Sequence, residues 1–237
     1  MNKELIKNKL DEYLEFNSDE LFQRTDFCVI FGGAIRDIVS GGKVEDINDI
    51  DVMGLPHSLK VMGNTLERNG YNLVNLVKPD IYNIYKDIKC IFEPKTYINK
   101  NNKIVQLIKP TIKFNRIEDY KYEFIINRDT FYNLLSNVDL TSSGLFYDGN
   151  ELYESLYNSY LHCKLKVFDR VYMSTMYQTT RTMLRSNTLE NKGWKQTDRI
   201  NKKLLERSLK ILKLRRFKIK NIEQYKLSKE NRKPYKN

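Results

Sequence analysis

Two aspartates one residue apart are the chemistry-bearing feature of this chain. Asp49 and Asp51 lie in Asp49-Ile50-Asp51-Val52-Met53, an alternating segment that reads as a strand. In a strand, residues i and i+2 point to one face, so both carboxylates project together. Two like charges that close repel unless a cation sits between them. Mg²⁺ favours carboxylates combined with substrate phosphates, so the pair reads as a metal site for triphosphate chemistry. Upstream, the apolar run Phe27–Phe31 reads as a buried strand, followed at once by Gly32-Gly33 and a helical segment carrying Arg36 and Asp37. Glycines let the backbone approach a polyphosphate, and a helix start offers free N–H groups. Arg36 adds a charge-assisted contact. Taken singly, each half also has an ordinary reading, the glycines as a plain turn and the aspartates as a solvated pair.

These residues need a scaffold, and the pattern supplies one. Ile6, Leu10, Tyr13 and Leu14 recur at helical spacing, and Ser18 is placed to cap a short second turn. Pro56 opens a helix that ends at Asn69-Gly70. From Tyr71 to about Phe114 the pattern favours strands, with a turn at 99–102. Residues 128–136 read as helix and residues 144–153 as a hairpin around Asp148-Gly149. From Leu156 onward the chain reads as mainly helical. Leu205, Leu209 and Leu212 form an apolar stripe among basic residues, and the polar sequence past Lys218 reads as a fraying tail. The outline is α+β over residues 1–154, a helical neck-like region over 155–217, and a basic tail over 218–237.

The chain has 237 residues with a net charge of +11, unevenly spread. Residues 192–237 hold 17 Lys/Arg against 4 Asp/Glu, while the rest holds 24 basic and 26 acidic residues. A near-neutral body with a basic end suggests a polyanionic partner, the plainer alternative being a solubilising tail. Lys202, Lys203, Arg207, Lys210, Lys213, Arg215 and Arg216 are the candidate contacts to such a partner, RNA if the resemblance described below holds. Trp194, Phe217, Tyr225 and Tyr235 interleave with the basic residues and suit base stacking, although packing is the stronger expectation for Trp194. Cys28, Cys90 and Cys163 lie far apart, which fits a reducing compartment and argues against a zinc cluster. The only histidines, His57 and His162, lack the neighbours of a triad or zinc site. With no long apolar run and an amphipathic start, the expectation is a soluble, cytoplasmic protein without a membrane partner.

The combination of strand, Gly32-Gly33-Ala34-Ile35-Arg36-Asp37 and Asp49-Ile50-Asp51-Val52 resembles the DNA polymerase β-like nucleotidyltransferase superfamily. More closely, it resembles the head domain of bacterial-type CCA-adding tRNA nucleotidyltransferases and poly(A) polymerases. A second block, Asp139-Leu140-Thr141-Ser142-Ser143-Gly144-Leu145-Phe146-Tyr147-Asp148, resembles the family's Arg-Arg-Asp-Phe-Thr-x-Asn-Ala segment and the hairpin after it. The two blocks cover roughly residues 25–170.

The resemblance implies an α+β head, a mixed sheet flanked by helices, followed by a short helical C-terminal part. It implies a Mg²⁺-dependent transferase that adds nucleotides to an RNA 3′ end, with tRNA as the favoured acceptor and ATP, or ATP and CTP, as substrates. Asp49 and Asp51 would hold two Mg²⁺ ions, Gly32 and Gly33 would cradle the triphosphate, and Asp139 would sit near the ribose. Arg36 fits better as a brace for the phosphate loop, paired with Asp37, than as a substrate contact. Arg181 and Arg185, one turn apart on a helix, are candidate base or triphosphate contacts, with solvent-facing arginines as the alternative.

The sequence also departs from the family pattern. The spacing from Asp37 to the aspartate pair is about three residues longer than usual, so Asp46-Ile47-Asn48 offers a rival alignment without both carboxylates. Asn137-Val138 replaces the Arg-Arg, and Ser143 replaces the Asn. Gln106 stands where the superfamily often has a third carboxylate, with Glu93 a substitute only if the fold brings it near. No Glu-Asp-x-x-Arg base-selecting motif follows residue 155, and residues 156–237 suffice only for an abbreviated neck, body and tail. Two other functions therefore stay open: transfer to a protein or small molecule, and RNA binding without catalysis on the same fold.

Overall fold

The structure is a computed structural model that describes residues 3–74, 80–85, 88–114, 138–156, 158–171 and 176–197. The stripe Ile6, Leu10, Tyr13 and Leu14 forms one face of helix α1 (Lys3–Leu14), and all four side chains are buried. A single turn, α2 (Asp19–Phe22), follows it. The expected Ser18 cap is not made. Instead the Ser18 backbone N–H donates to Asp11 Oδ1 at 2.6 Å, tying the turn back to α1.

The strand–turn–helix–strand order holds as β1 (Cys28–Phe31), α3 (Gly33–Val39) and β2 (Ile50–Gly54). Pro56 opens α4 (Pro56–Arg68), because its missing N–H is one that a first turn leaves unpaired anyway. Strands β3 (Asn72–Val74), β4 (Asp80–Tyr85), β5 (Ile88–Ile98) and β6 (Ile104–Phe114) come next, then β7 (Leu145–Tyr147) and β8 (Leu152–Glu154) as the Asp-Gly hairpin. They form one mixed sheet in the order β3-β5-β6-β2-β1-β7-β8, with β4 also pairing β5. Strand β2 lies at its centre, antiparallel to β1 and parallel to β6.

Alternation along the strands gives the sheet two different faces. Ile30, Ile50, Val52, Val105 and Leu107 point to one side and share a buried core with α1, α3 and α4. The other side carries a smaller cluster, Val29, Met53 and Phe146, bordered by Phe31, Leu55 and Tyr153. The Phe146 and Tyr153 rings stack there with centroids 5.2 Å apart. Cross-strand register places Asp51 on this second face, beside Phe31 of β1 and Gln106 of β6.

Past the hairpin the chain forms α5 (Ser159–Leu165) and α6 (Met176–Asn191), as expected of a helical part. It also forms a pair of two-residue parallel strands, β9 (Val167–Phe168) and β10 (Lys195–Gln196), that the helical reading does not contain. Two-residue strands are too short to show an alternation, so only the fold reveals them. Cys163, Phe168, Leu189 and Trp194 join the same core as the head helices. Cys28 and Cys163 are free and buried, and burial pushes their thiols up to about 11 and about 12. Among the described residues no helix is long and apolar enough to cross a membrane. The helix expected at 128–136, the stripe Leu205–Leu212 and the tail past Lys218 lie outside the described residues.

Candidate active site

Strand β1 ends at Phe31, and the next residue turns the chain into α3. Gly32 makes that turn at φ +76° and ψ −134°, a conformation that a side chain disfavours strongly. A Cβ added there would lie 3.8 Å from Asp51 Oδ2, so the Asp51 carboxylate sits directly against the glycine turn. Asp49 lies one residue before β2 begins, at the entry to the strand rather than inside it. Gln106 Nε2 donates to Asp49 Oδ2 at 3.2 Å. Since Gln106 is in register with Asp51, one β6 side chain shows that both carboxylates share the face opposite the helices.

Tyr13 of α1 fixes this entry from below. Its buried hydroxyl accepts from the Ile104 N–H at 3.0 Å and lies 3.2 Å from the carbonyl oxygens of both Asn48 and Ile104. One side chain thus stitches the residue before Asp49 to the start of β6, two residues before Gln106. The tyrosine was legible as core, but its polar role needed the register of two distant strands.

Arg36 folds back over the glycine turn, with Nη2 3.4 Å from where a Gly33 Cβ would be. Its Nε donates to Asp37 Oδ1 at 2.8 Å, and its Nη1 reaches Ser143 Oγ at 3.4 Å. The guanidinium also lies 5.8 Å from the Trp194 ring centroid, a cation–π distance. Asp37 is 6% exposed and takes a second cation, Lys192 Nζ at 3.2 Å. Arg36 therefore braces the turn, in line with its pairing to Asp37, and Lys192 is a partner that spacing did not suggest. Ser143 of the second block docks on this brace.

Asp139 is buried and pairs with Arg185 of α6, Nη1 to Oδ1 at 2.8 Å. Thr182 Oγ1 adds a longer bond to Asp139 Oδ2 at 3.4 Å. Two candidates from separate sequence blocks thus come together. Arg181 lies on the same helix, one turn before Arg185. Lys202, Lys203, Arg207, Lys210, Lys213, Arg215 and Arg216 fall outside the described residues.

No protein-family model matches the sequence, and no curated protein matches it significantly. Solved structures do. A CCA-adding enzyme in complex with CTP matches at a TM-score of 0.57 and 14% identity, over 90% of this chain and 47% of that one. A CCA-adding enzyme in complex with ATP matches at 0.50 and 16% identity, over 80% of this chain and 39% of that one. The chain has a nucleotidyltransferase head fold. It spans less than half the length of either solved structure.

Within this head, the donor chemistry at Asp49 and Asp51 fits Mg²⁺, which is commonly held by one or two carboxylates completed by phosphate oxygens and water. Among the described residues no group of three His, Cys, Asp or Glu side chains gathers around an ion site. Glu93 does not supply a third carboxylate. It lies on β5 opposite Lys109, three positions along from the Thr96–Gln106 pair, and so projects to the other face of the sheet. An ion contact with Lys109 at 3.9 Å occupies it there. The position beside the aspartates belongs to the neutral Gln106.

Proposed function

We infer that this chain is a Mg²⁺-dependent ribonucleotidyltransferase that extends an RNA 3′ end, with a tRNA as the first acceptor to test. The observation that carries the reading is the closeness of the Asp51 carboxylate to the Gly32 turn, 3.8 Å from where a side chain would begin, with Asp49 on the same face. A cation held by the two carboxylates would then lie next to a backbone stretch that carries no side chain at Gly32. The head fold shared with CCA-adding enzymes complexed with CTP and ATP supports it. So does the basic end of the chain, which suits a polyanionic acceptor.

In the proposed reaction the RNA 3′-hydroxyl oxygen bonds to the α-phosphorus of a nucleoside triphosphate. The bond from that phosphorus to the bridging oxygen breaks, pyrophosphate leaves, and the hydroxyl proton passes to solvent. Asp49 and Asp51 are the residues that would hold Mg²⁺, which when bound supplies charge neutralisation for the transferring group and the leaving pyrophosphate. Gly32 and Gly33 keep side-chain bulk out of the phosphate path. Arg36 holds that turn in place through Asp37 and Ser143, and it adds positive charge behind it. Arg185, partly exposed while anchored on Asp139, is a cation that would meet nucleotide from α6.

The test is incubation with Mg²⁺ and a tRNA transcript lacking its terminal CCA, each labelled nucleotide being given singly and then together. Defined addition of C and A is the expected result, and Asp51→Ala should abolish it while circular dichroism stays unchanged. An A-only ladder would make the enzyme poly(A)-type. Failure on every RNA, with the fold intact, would overturn the RNA acceptor and favour a protein or small-molecule target. Equal transfer by Asp51→Ala would remove Asp51 from the metal site.

A further inference from the structure

Gln106 reaches both aspartates' positions: it lies in register with Asp51 and donates from Nε2 to Asp49 Oδ2. It is 8% exposed, on a central strand between β2 and β5. A buried glutamine on a strand face costs desolvation unless its amide is used, and here the N–H side is used on a carboxylate. On the β5 side its cross-strand partner is Thr96, 3% exposed. Among the described residues the Thr96 hydroxyl has no hydrogen-bond partner. An apolar residue at position 106 would fill the place without a polar group to satisfy, so packing alone does not account for the amide.

The charge arithmetic points the same way. Asp49 and Asp51 repel each other when both are ionised. A carboxylate at position 106 would add a third negative charge to the cluster. The glutamine instead directs a donor at one aspartate, which orients that carboxylate and offsets part of the repulsion.

We propose that Gln106 is the positioning residue of this site, holding Asp49 for the cation through its amide N–H while keeping the neighbouring place uncharged. The proposal rests on the reading of Asp49 and Asp51 as cation ligands. It adds that the group ordering Asp49 is neutral and comes from β6. Residues that orient metal ligands typically change affinity or activity by about 10–100-fold when removed, which sets the scale of the test.

The experiment uses the full chain and three proteins: the parent, Gln106→Glu and Gln106→Leu. Mn²⁺ binding is followed by its electron paramagnetic resonance signal without nucleotide, and transfer to the tRNA transcript is measured in parallel. Gln106→Leu, which loses the Nε2 bond to Asp49, should bind Mn²⁺ about tenfold more weakly and lower kcat at least about tenfold with little change in the KM for nucleotide. Gln106→Glu, nearly isosteric, puts a charge in the neighbouring place and should bind Mn²⁺ more tightly than the parent. Parent-like Mn²⁺ affinity in Gln106→Leu would overturn the positioning role, and parent-like affinity in Gln106→Glu would overturn the role of the uncharged place. Should Gln106→Leu fail to fold, Gln106→Met replaces it with the same expectation. If the parent transfers no nucleotide but Gln106→Leu loses Mn²⁺ affinity, the positioning role stands and the RNA reading falls.

Discussion

Gly32 and Asp51 show how closely the backbone and the candidate chemistry are joined. The glycine's φ of +76° is a conformation that L side chains rarely adopt. Gly32→Ala should therefore cost about 1–3 kcal/mol of stability from backbone strain, measurable by urea denaturation. The added methyl would also stand 3.8 Å from Asp51 Oδ2, so nucleotide affinity should fall more than stability alone explains. Gly33→Ala offers the contrast: the residue starts a helix, and its new Cβ would only touch the flexible end of Arg36. It should fold like the parent. The aspartates and glycines were readable because they are neighbours in sequence. The Gln106 amide on Asp49 was not, since it depends on which residue of β6 falls beside Asp51.

At the scale of elements, α1 stabilises the site from outside it. Tyr13→Phe removes a hydroxyl that bonds the Ile104 N–H and lies beside the Asn48 and Ile104 carbonyls, and it leaves those groups buried. The expected loss is about 1–3 kcal/mol, with lower transfer activity because the Asp49 entry loosens. The same end of α1 is pH-sensitive. Burial of Asp11 raises its pKa, but hydrogen bonds from Ser18 and the charge and hydrogen bond of Lys7 more than reverse that, so the net shift is downward. A depressed carboxylate contributes stability that is present above its unfolded pKa and lost as pH falls through its folded one. Unfolding midpoints measured from pH 5 downward should fall less steeply in Asp11→Asn than in the parent, because that variant has no such proton to bind.

The same scale explains what sequence reading could reach. The β1–Gly-Gly–α3–β2 order and the 145–154 hairpin are local, so periodicity and turn residues sufficed. The parallel pairing of β2 with β6 joins segments more than fifty residues apart, and nothing in either strand announces its partner. The meeting of Asp139 with Arg185, and of Asp37 with Lys192, is equally non-local. Charge complementarity permits such pairs, but many others would have satisfied it.

For the whole molecule, the uneven charge is the leading feature. Residues 218–237 carry seven Lys/Arg and two Asp/Glu. Removing them should weaken RNA binding and flatten its salt dependence. Every RNA phosphate that the shortened chain no longer neutralises should reduce the slope of log affinity on log salt by about 0.7–0.9. An unchanged slope, from filter binding across a salt series, would leave that segment without a role in RNA binding. The head and the described C-terminal residues share one core through Cys163, Phe168, Leu189 and Trp194, so truncation into that part should unfold the head.

Trp194 has a consequence of its own. It is the only tryptophan in the chain, it is buried, and its ring lies under the Arg36 guanidinium that braces the glycine turn. Indole emission responds to nearby charge and to water, so the protein carries its own optical gauge, seated where the glycine turn meets the residues after α6. Any event that shifts Arg36 by a fraction of its length, such as release of Lys192 from Asp37, changes the light from a single known place. No label has to be attached to watch that junction work.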